Sequence, residues 1–178
     1  MAAGLARLHG LQVAVDQLDV GHGGRTLPGV QALVAKSAYG TPRRSVVGWD
    51  SGRLAMLLAV LEARCGITLA GMDVYLSVAG GYKIMEPAGD LSAAAALLTS
   101  LSANPAPERS VFFGEVALSG AVRPVSRMEQ RLKEAERLGF ERAFVPEGAP
   151  TAVDGLTVTP IKRLIDLVEL LAPDALNA

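Results

Sequence analysis

The sequence predicts an α/β fold, an α+β sandwich on a mixed β-sheet with inserted hairpins and about four helices. Three observations predict it. Short β-branched segments alternate with segments of helical period, and Gly/Pro punctuation falls at hairpin spacing inside two of the strand regions. Half of the residues are apolar but only 4% are aromatic, so the core is built mainly from Ala, Leu and Val. At 178 residues the chain suffices for one well-buried domain.

The break "HGGRTLPG" (22–29) sets off residues 1–27, which are expected to be disordered or a vestige of an upstream region, from a domain over 28–178. "VQALVAKS" and "RSVVGWD" read as two strands of a hairpin around "AYGTPR". Asp50 and Ser51 can cap a helix whose Leu54, Leu57, Leu58 and Leu61 share one face, with Gly66 as its stop. "DVYLSVAG" is a strand. Asp90 caps a helix from Leu91 to about Ser102, where Leu91, Ala94, Leu98 and Leu101 form a stripe. "SVFFGEVALSGAVRPV" reads as a second hairpin turning at Ser119-Gly120. A third helix carries Met128, Leu132, Ala135 and Leu138 and ends at Gly139, and Ser126 with Glu129 has the spacing of a capping box. "RAFVP" and "GLTVTP" are short strands. Thr159 and Pro160 open a last helix that buries Ile161, Leu164, Ile165, Val168 and Leu171. The expected order is β-β-α-β-α-β-β-α-β-β-α.

A formal net charge of −1 gives no global footprint of a nucleic-acid binder, although local basic clusters can still act. The single cysteine, Cys65, excludes an internal disulfide and reads as a small core residue. No stretch approaches the roughly 18 apolar residues of a membrane span, and the N-terminus lacks a secretion-signal pattern. A cytoplasmic protein without a membrane partner is expected. His9 and His22 have no second ligand at metal spacing. "AGGYK" lacks the Gly-x4-Gly-Lys-Ser/Thr spacing of a phosphate loop, so no cofactor or metal site is expected in the chain.

Three stretches carry a specific likeness: "GTPRRSVVGWDSGRLAMLLAVLE", "DVYLSVAGGYKIMEPAGDLSAAAALLTSL" and "FFGEVALSGAVRPVSRMEQRLKEAERLGFERAFVP". Together with the tail "VTPIKRLIDLVELL", they resemble the proteolytic domain of the Lon family. They resemble more closely the Lon-like C-terminal domain of the RadA (Sms) family of bacterial DNA repair proteins. The likeness runs over about residues 28 to 171 and implies a Lon-like fold, akin to ribosomal-protein domain 2. It also implies a hexameric ring, with DNA, single-stranded or branched, and RecA as partners. The family's full-length members are ATP-dependent recombination and branch-migration factors with a zinc finger and a RecA-like ATPase core. Neither motif is in this sequence, so ATP, Mg and Zn belong to parts of the family architecture absent here.

Lon peptidases carry a serine in a Gly-Pro-Ser-Ala-Gly turn and a lysine after a Gly-Glu hairpin. Laid on "EPAGD" and "GEVALSGAVRP", the resemblance puts Ala88 at the serine position and Glu129 at the lysine position. A methyl group cannot attack a carbonyl, and a carboxylate with no hydroxyl beside it has nothing to activate. A proteolytically inactive domain is therefore expected, the alternative being a displaced dyad of Ser92 and Lys133. These lie one helical turn beyond the family positions and point about 40° away from them. Arg43, Arg44, Arg123, Arg127, Arg131 and Lys133 are DNA-binding candidates, since arginine grips phosphate bidentately without reading sequence. Against that stands a solvated face, because Glu129, Glu134 and Glu136 interleave with several of them. An adaptor that binds only proteins is the third reading.

Overall fold

The chain's structure, a computed structural model, describes residues 12–15, 29–38 and 40–176. Thirteen elements follow: β1 (Gln12–Val15), β2 (Gly29–Lys36), β3 (Arg44–Val47), α1 (Ser51–Cys65), β4 (Met72–Val78), α2 (Asp90–Ser102), β5 (Ser110–Phe112), β6 (Glu115–Val116), β7 (Val122–Arg123), α3 (Met128–Arg137), β8 (Arg142–Pro146), β9 (Thr157–Ile161) and α4 (Leu164–Leu171). A seven-stranded sheet has the order β3-β4-β2-β1-β5-β8-β9, and β6 and β7 form a separate two-stranded ribbon. β2 runs antiparallel to both of its neighbours, and every other pair in the large sheet is parallel. The predicted α/β class with a mixed sheet and four helices is what the structure shows.

β1 lies inside the stretch that the sequence sets apart, yet it is paired between β2 and β5 in the middle of the sheet. The rest of residues 1–27, His9 and His22 included, lies outside the described residues.

Alternation along each strand divides the apolar residues between two layers. Val30, Ala32 and Val34 of β2 pair in register with Val78, Leu76 and Val74 of β4, and all six are buried in one cluster with α1, α2 and α4. Phe112 and Phe144 face the same side and stack with ring centroids 4.6 Å apart. Their neighbours Val111, Ala143 and Val145 point the other way, into a second cluster with Leu132 and Ala135 of α3. The sheet is thus covered on both faces around β5 and β8. Toward β2 and β3 it leaves Leu33 and Val47 exposed.

This packing explains where the expected elements shift. The β2–β3 hairpin does not form, because β4 has the buried alternation that matches β2 and takes the place between them. β3, mostly exposed, is left on the edge. α2 is not a one-striped helix: residues 90–99 are all buried, so four consecutive alanines meet neighbours on every side. Thr159 and Pro160 do not start a helix. They belong to β9, where Pro160 sits in an edge strand that tolerates its missing N–H, and α4 begins at Leu164. There the Asp166 carboxylate accepts from the Lys162 and Arg163 amides.

The α1 caps form as the sequence predicts. The Asp50 side chain accepts from Arg53 N at 2.7 Å, and Gly66 takes the left-handed conformation (φ +71°). The β6–β7 ribbon turns through Gly120, whose φ of +82° favours glycine. No helix among the described residues is long and apolar enough to cross a membrane.

Candidate functional site

β4 leads through a 3-10 turn at Ala79–Gly81 to a second 3-10 step, Pro87–Gly89, directly before α2. This is the turn to which the Lon likeness assigns a nucleophile, and Ala88 is only 2% exposed. Its carbonyl accepts from Gly114 N at 2.9 Å, and Gly114 O accepts from Leu91 N at 3.1 Å, so the strand-end loop after β5 brackets the turn from behind.

Two ion pairs hold the flanks. Glu86, just before the turn, receives both terminal nitrogens of Arg131 from α3, at 3.1 and 2.7 Å. Arg131 is 1% exposed, donates from Nε to Ser126 O at 2.9 Å and lies over the Phe113 ring. Asp90, just after the turn, is fully buried and binds Arg53 of α1 through Nε at 2.8 Å and through a second, shorter contact. It also accepts from Val116 N at 3.0 Å. Asp90 is therefore no cap. It is the first residue of α2, Gly89 holds the cap position, and its carboxylate is engaged by α1 and β6 instead. Burial pushes the Asp90 carboxyl above the ordinary carboxylate range, against the pull of Arg53 and of the Val116 amide. The same hydrogen bond raises Arg53, which stays a cation.

Glu129 is not in a capping box either. Arg127, at φ +59°, is the cap residue of α3 and makes no side-chain cap bond. Glu129, 62% exposed, pairs with Lys133, 64% exposed, at 2.6 Å. The Lys133 hydrogen bond holds the Glu129 carboxyl below its ordinary range. The Ser92 hydroxyl is buried and donates to Phe112 O at 2.5 Å. So the displaced pair is divided between a core hydroxyl bound to a backbone carbonyl and a surface ammonium bound to a carboxylate. From α3 it is Arg131, rather than Glu129 or Lys133, that reaches the turn. Cys65 is a core thiol whose pKa burial raises to about 11.

The basic candidates separate into groups. Arg131 is spent on Glu86 and is closed to a phosphate. Arg44 directs its guanidinium at the carbonyls of Met72 and Leu69, and Arg43 donates its amide to Asp73. Both stand on or beside β3, at one edge of the sheet. Arg123 and Arg127 are exposed and make no side-chain hydrogen bond or ion pair among the described residues, although Glu115 lies across the ribbon from Arg123. Val122 N donates to Lys162 O at 2.9 Å, which brings Lys162 beside Arg123 at the opposite edge of the sheet. Arg163 bridges Ala121, and Arg64 donates to Leu118 O on the same ribbon. Sequence reasoning missed Arg64, Lys162 and Arg163, because each is remote in the chain from the β6–β7 ribbon it joins. No group of three or more His, Cys, Asp or Glu among the described residues could hold a metal ion.

Residues 58–149, just over half of the chain, match the protein-family model described as subunit ChlI of Mg-chelatase. Among curated proteins, the DNA repair protein RadA of Brucella abortus is 62% identical over 67% of this chain and 26% of its own length. RadA of Rickettsia conorii is 47% identical over 80% of this chain and 32% of its own. RadA of Aquifex aeolicus is 42% identical over the same shares. The chain belongs to that family, as a RadA-type domain. It spans about a quarter to a third of the length of these relatives. The matched residues 58–149 include the Ala88 turn, Asp90, Arg131 and the β6–β7 ribbon, whereas Arg53, Lys162 and Arg163 lie outside them.

Proposed function

We propose that this RadA-type domain is a non-enzymatic module of a DNA repair protein. It keeps a Lon-like peptidase scaffold without the reaction, and it serves hexameric ring assembly and accessory DNA binding. The observation that carries the reading is the Ala88 turn. The position offers a buried methyl group, and the acids on either side are neutralised by Arg131 and Arg53 instead of a lysine being held as a base. Losing both partners of a nucleophile–base couple costs on the order of a millionfold in rate. Conserving the turn's shape with salt bridges is what a scaffold needs. The Ser92–Lys133 alternative gains nothing from the geometry, because each of its groups already has another partner.

The DNA half of the reading is supported by the name of the relatives and by Arg123, Arg127 and Lys162, exposed at one rim of the domain. Such side chains position a phosphate backbone without reading its sequence. Where the domain forms part of a longer RadA-type protein, the ATP-dependent motor and zinc finger would be supplied by other residues, and RecA would be a partner in recombination and branch migration.

Fluorescence anisotropy with single-stranded and branched oligonucleotides tests the binding. Affinity should fall by orders of magnitude between about 50 and about 200 mM salt, and Arg123→Glu with Arg127→Glu should flatten that slope. Binding indifferent to salt, or unchanged in the double variant, sinks the DNA reading. Casein turnover that disappears in Ser92→Ala would overturn the non-enzymatic one.

A further inference from the structure

The β6–β7 ribbon ends in a turn whose backbone is held from two sides. Ala117 N donates to Ala121 O at 2.9 Å and Gly120 N donates to Ala117 O at 2.8 Å, which closes a β-turn over residues 117–120. Leu164 N donates to Gly120 O at 2.8 Å, and Arg64 Nε donates to Leu118 O at 3.3 Å. A Cβ on Gly120 would stand 3.3 Å from that of Arg64, so the tip lies close against the end of α1. The side chain of Leu118 is treated differently: it is 68% exposed and belongs to neither apolar cluster. It holds the second position of the turn, which most residues can fill and proline favours. Nothing in the local fold requires a leucine there.

Cations stand on both flanks of this tip. Arg64 lies on the α1 side. On the α4 side are Arg163, bridged to Ala121, and Lys162, whose carbonyl accepts from Val122 N, with Arg123 farther down the ribbon. Arg64, Arg123 and Arg163 are exposed and form no ion pair among the described residues. Three acids come near them. Glu115 lies across the ribbon from Arg123 and also acts on Arg53, and the Asp166 carboxylate is spent on the amides of Lys162 and Arg163. Glu147 meets Lys162 at 3.7 Å, where both are exposed and solvent screens the pair.

We infer that the ribbon tip is a pin for DNA junctions. Leu118 covers the last base pair at the point where a duplex opens into single strands, and the cations on its two flanks hold the diverging backbones. The occupant follows from the chemistry of the tip. Inside a duplex the face of each base pair is closed by the next pair, and a single strand offers no paired face. A fork or branch offers both an uncovered apolar face and phosphates on either side of it, and apolar side chains such as leucine are the ones that proteins press against base steps. One leucine among cations falls far short of the apolar core of a protein interface, but it suffices for one base pair. The inference rests on the DNA half of the proposed function and names the DNA structure and the residue that selects it.

Anisotropy of the full chain with a forked oligonucleotide, the matching blunt duplex and the single strand tests the pin, with a fluorescent adenine analogue in the pair next to the fork. The wild type should hold the fork about tenfold more tightly than either control, the scale of covering one leucine side chain, and should change the analogue's emission. Leu118→Ala should lose the preference and the emission change while keeping the single-strand affinity and the thermal melt of the wild type. Leu118→Met should regain both. Wild-type binding without a fork preference, or a preference that survives Leu118→Ala, overturns the inference and leaves accessory DNA binding standing. Equal weakening of Leu118→Ala on all three DNAs overturns it too, since the leucine would then be a general contact. No binding to any of them overturns it together with the DNA reading. A Leu118→Ala chain unchanged on DNA but impaired in self-association by sedimentation overturns it and assigns the tip to a second copy.

Discussion

The likeness to Lon peptidases would make positions 88 and 129 a couple, and in the structure they occupy opposite environments. Ala88 sits in a turn with almost no solvent access, stitched to the loop after β5 and flanked by two arginine–carboxylate pairs. Glu129 lies on the outside of α3, tied to a lysine one turn along its own helix. The first region is fixed by buried contacts from three directions, and the second is an ordinary solvated helix surface. Arg131, two residues from Glu129, shows the divide most sharply. The helix to which the Lon likeness assigns a base delivers a buried guanidinium to the carboxylate in front of the turn.

That contrast sets the scale of three substitutions. The largest loss is expected for Glu86→Ala, which takes the bidentate carboxylate from a guanidinium buried between α3 and the sheet. Breaking such a pair costs about 3 kcal/mol, read as a lower urea midpoint at unchanged slope. A result under about 1 kcal/mol would mean that the turn is not held from α3.

Next comes Asp90→Asn, whose effect should depend on pH. The native Asp90 carboxyl titrates above its unfolded counterpart, so the folded chain binds a proton that the unfolded chain has already released. Stability attributable to this group is present below the unfolded carboxyl pKa, roughly 4, and is lost as pH rises through the higher native value. The difference in stability between wild type and Asp90→Asn should therefore shrink as pH rises through that window. Thermal melts across it would show a difference that grows with pH if the Arg53 pair instead dominated the carboxyl and held its native value below the unfolded one. The smallest effect is expected for Glu129→Ala, where an exposed i,i+4 pair is screened by solvent and contributes next to nothing. Melts at low and high salt should nearly coincide.

What was legible in the chain was local. The Asp50 and Gly66 caps and the four leucines of α1 can be read from a few neighbouring residues, because capping and periodicity act within two turns. Insertion of β4 between β2 and β3 cannot be read this way, since it depends on a burial pattern matched across more than forty residues. Thr159-Pro160 has the look of a helix start, and only the edge place of β9 makes it a strand. The site divides along the same line. Resemblance finds Ala88 and Glu129, but the pairs that hold the turn join residues 37 and 45 positions apart, and no local pattern announces them. The acids at 86 and 90 were the available hint, because a buried turn between two carboxylates has to find cations from elsewhere in the fold.

The chain has one tryptophan, and it stands where the edge strand meets the first helix. Its emission is therefore a private optical probe of that corner. Any event that covers the strand edge, hydrates the indole nitrogen or loosens the helix start will shift one band with no other indole to blur it. Binding at the far rim of the domain, by contrast, should leave the spectrum alone.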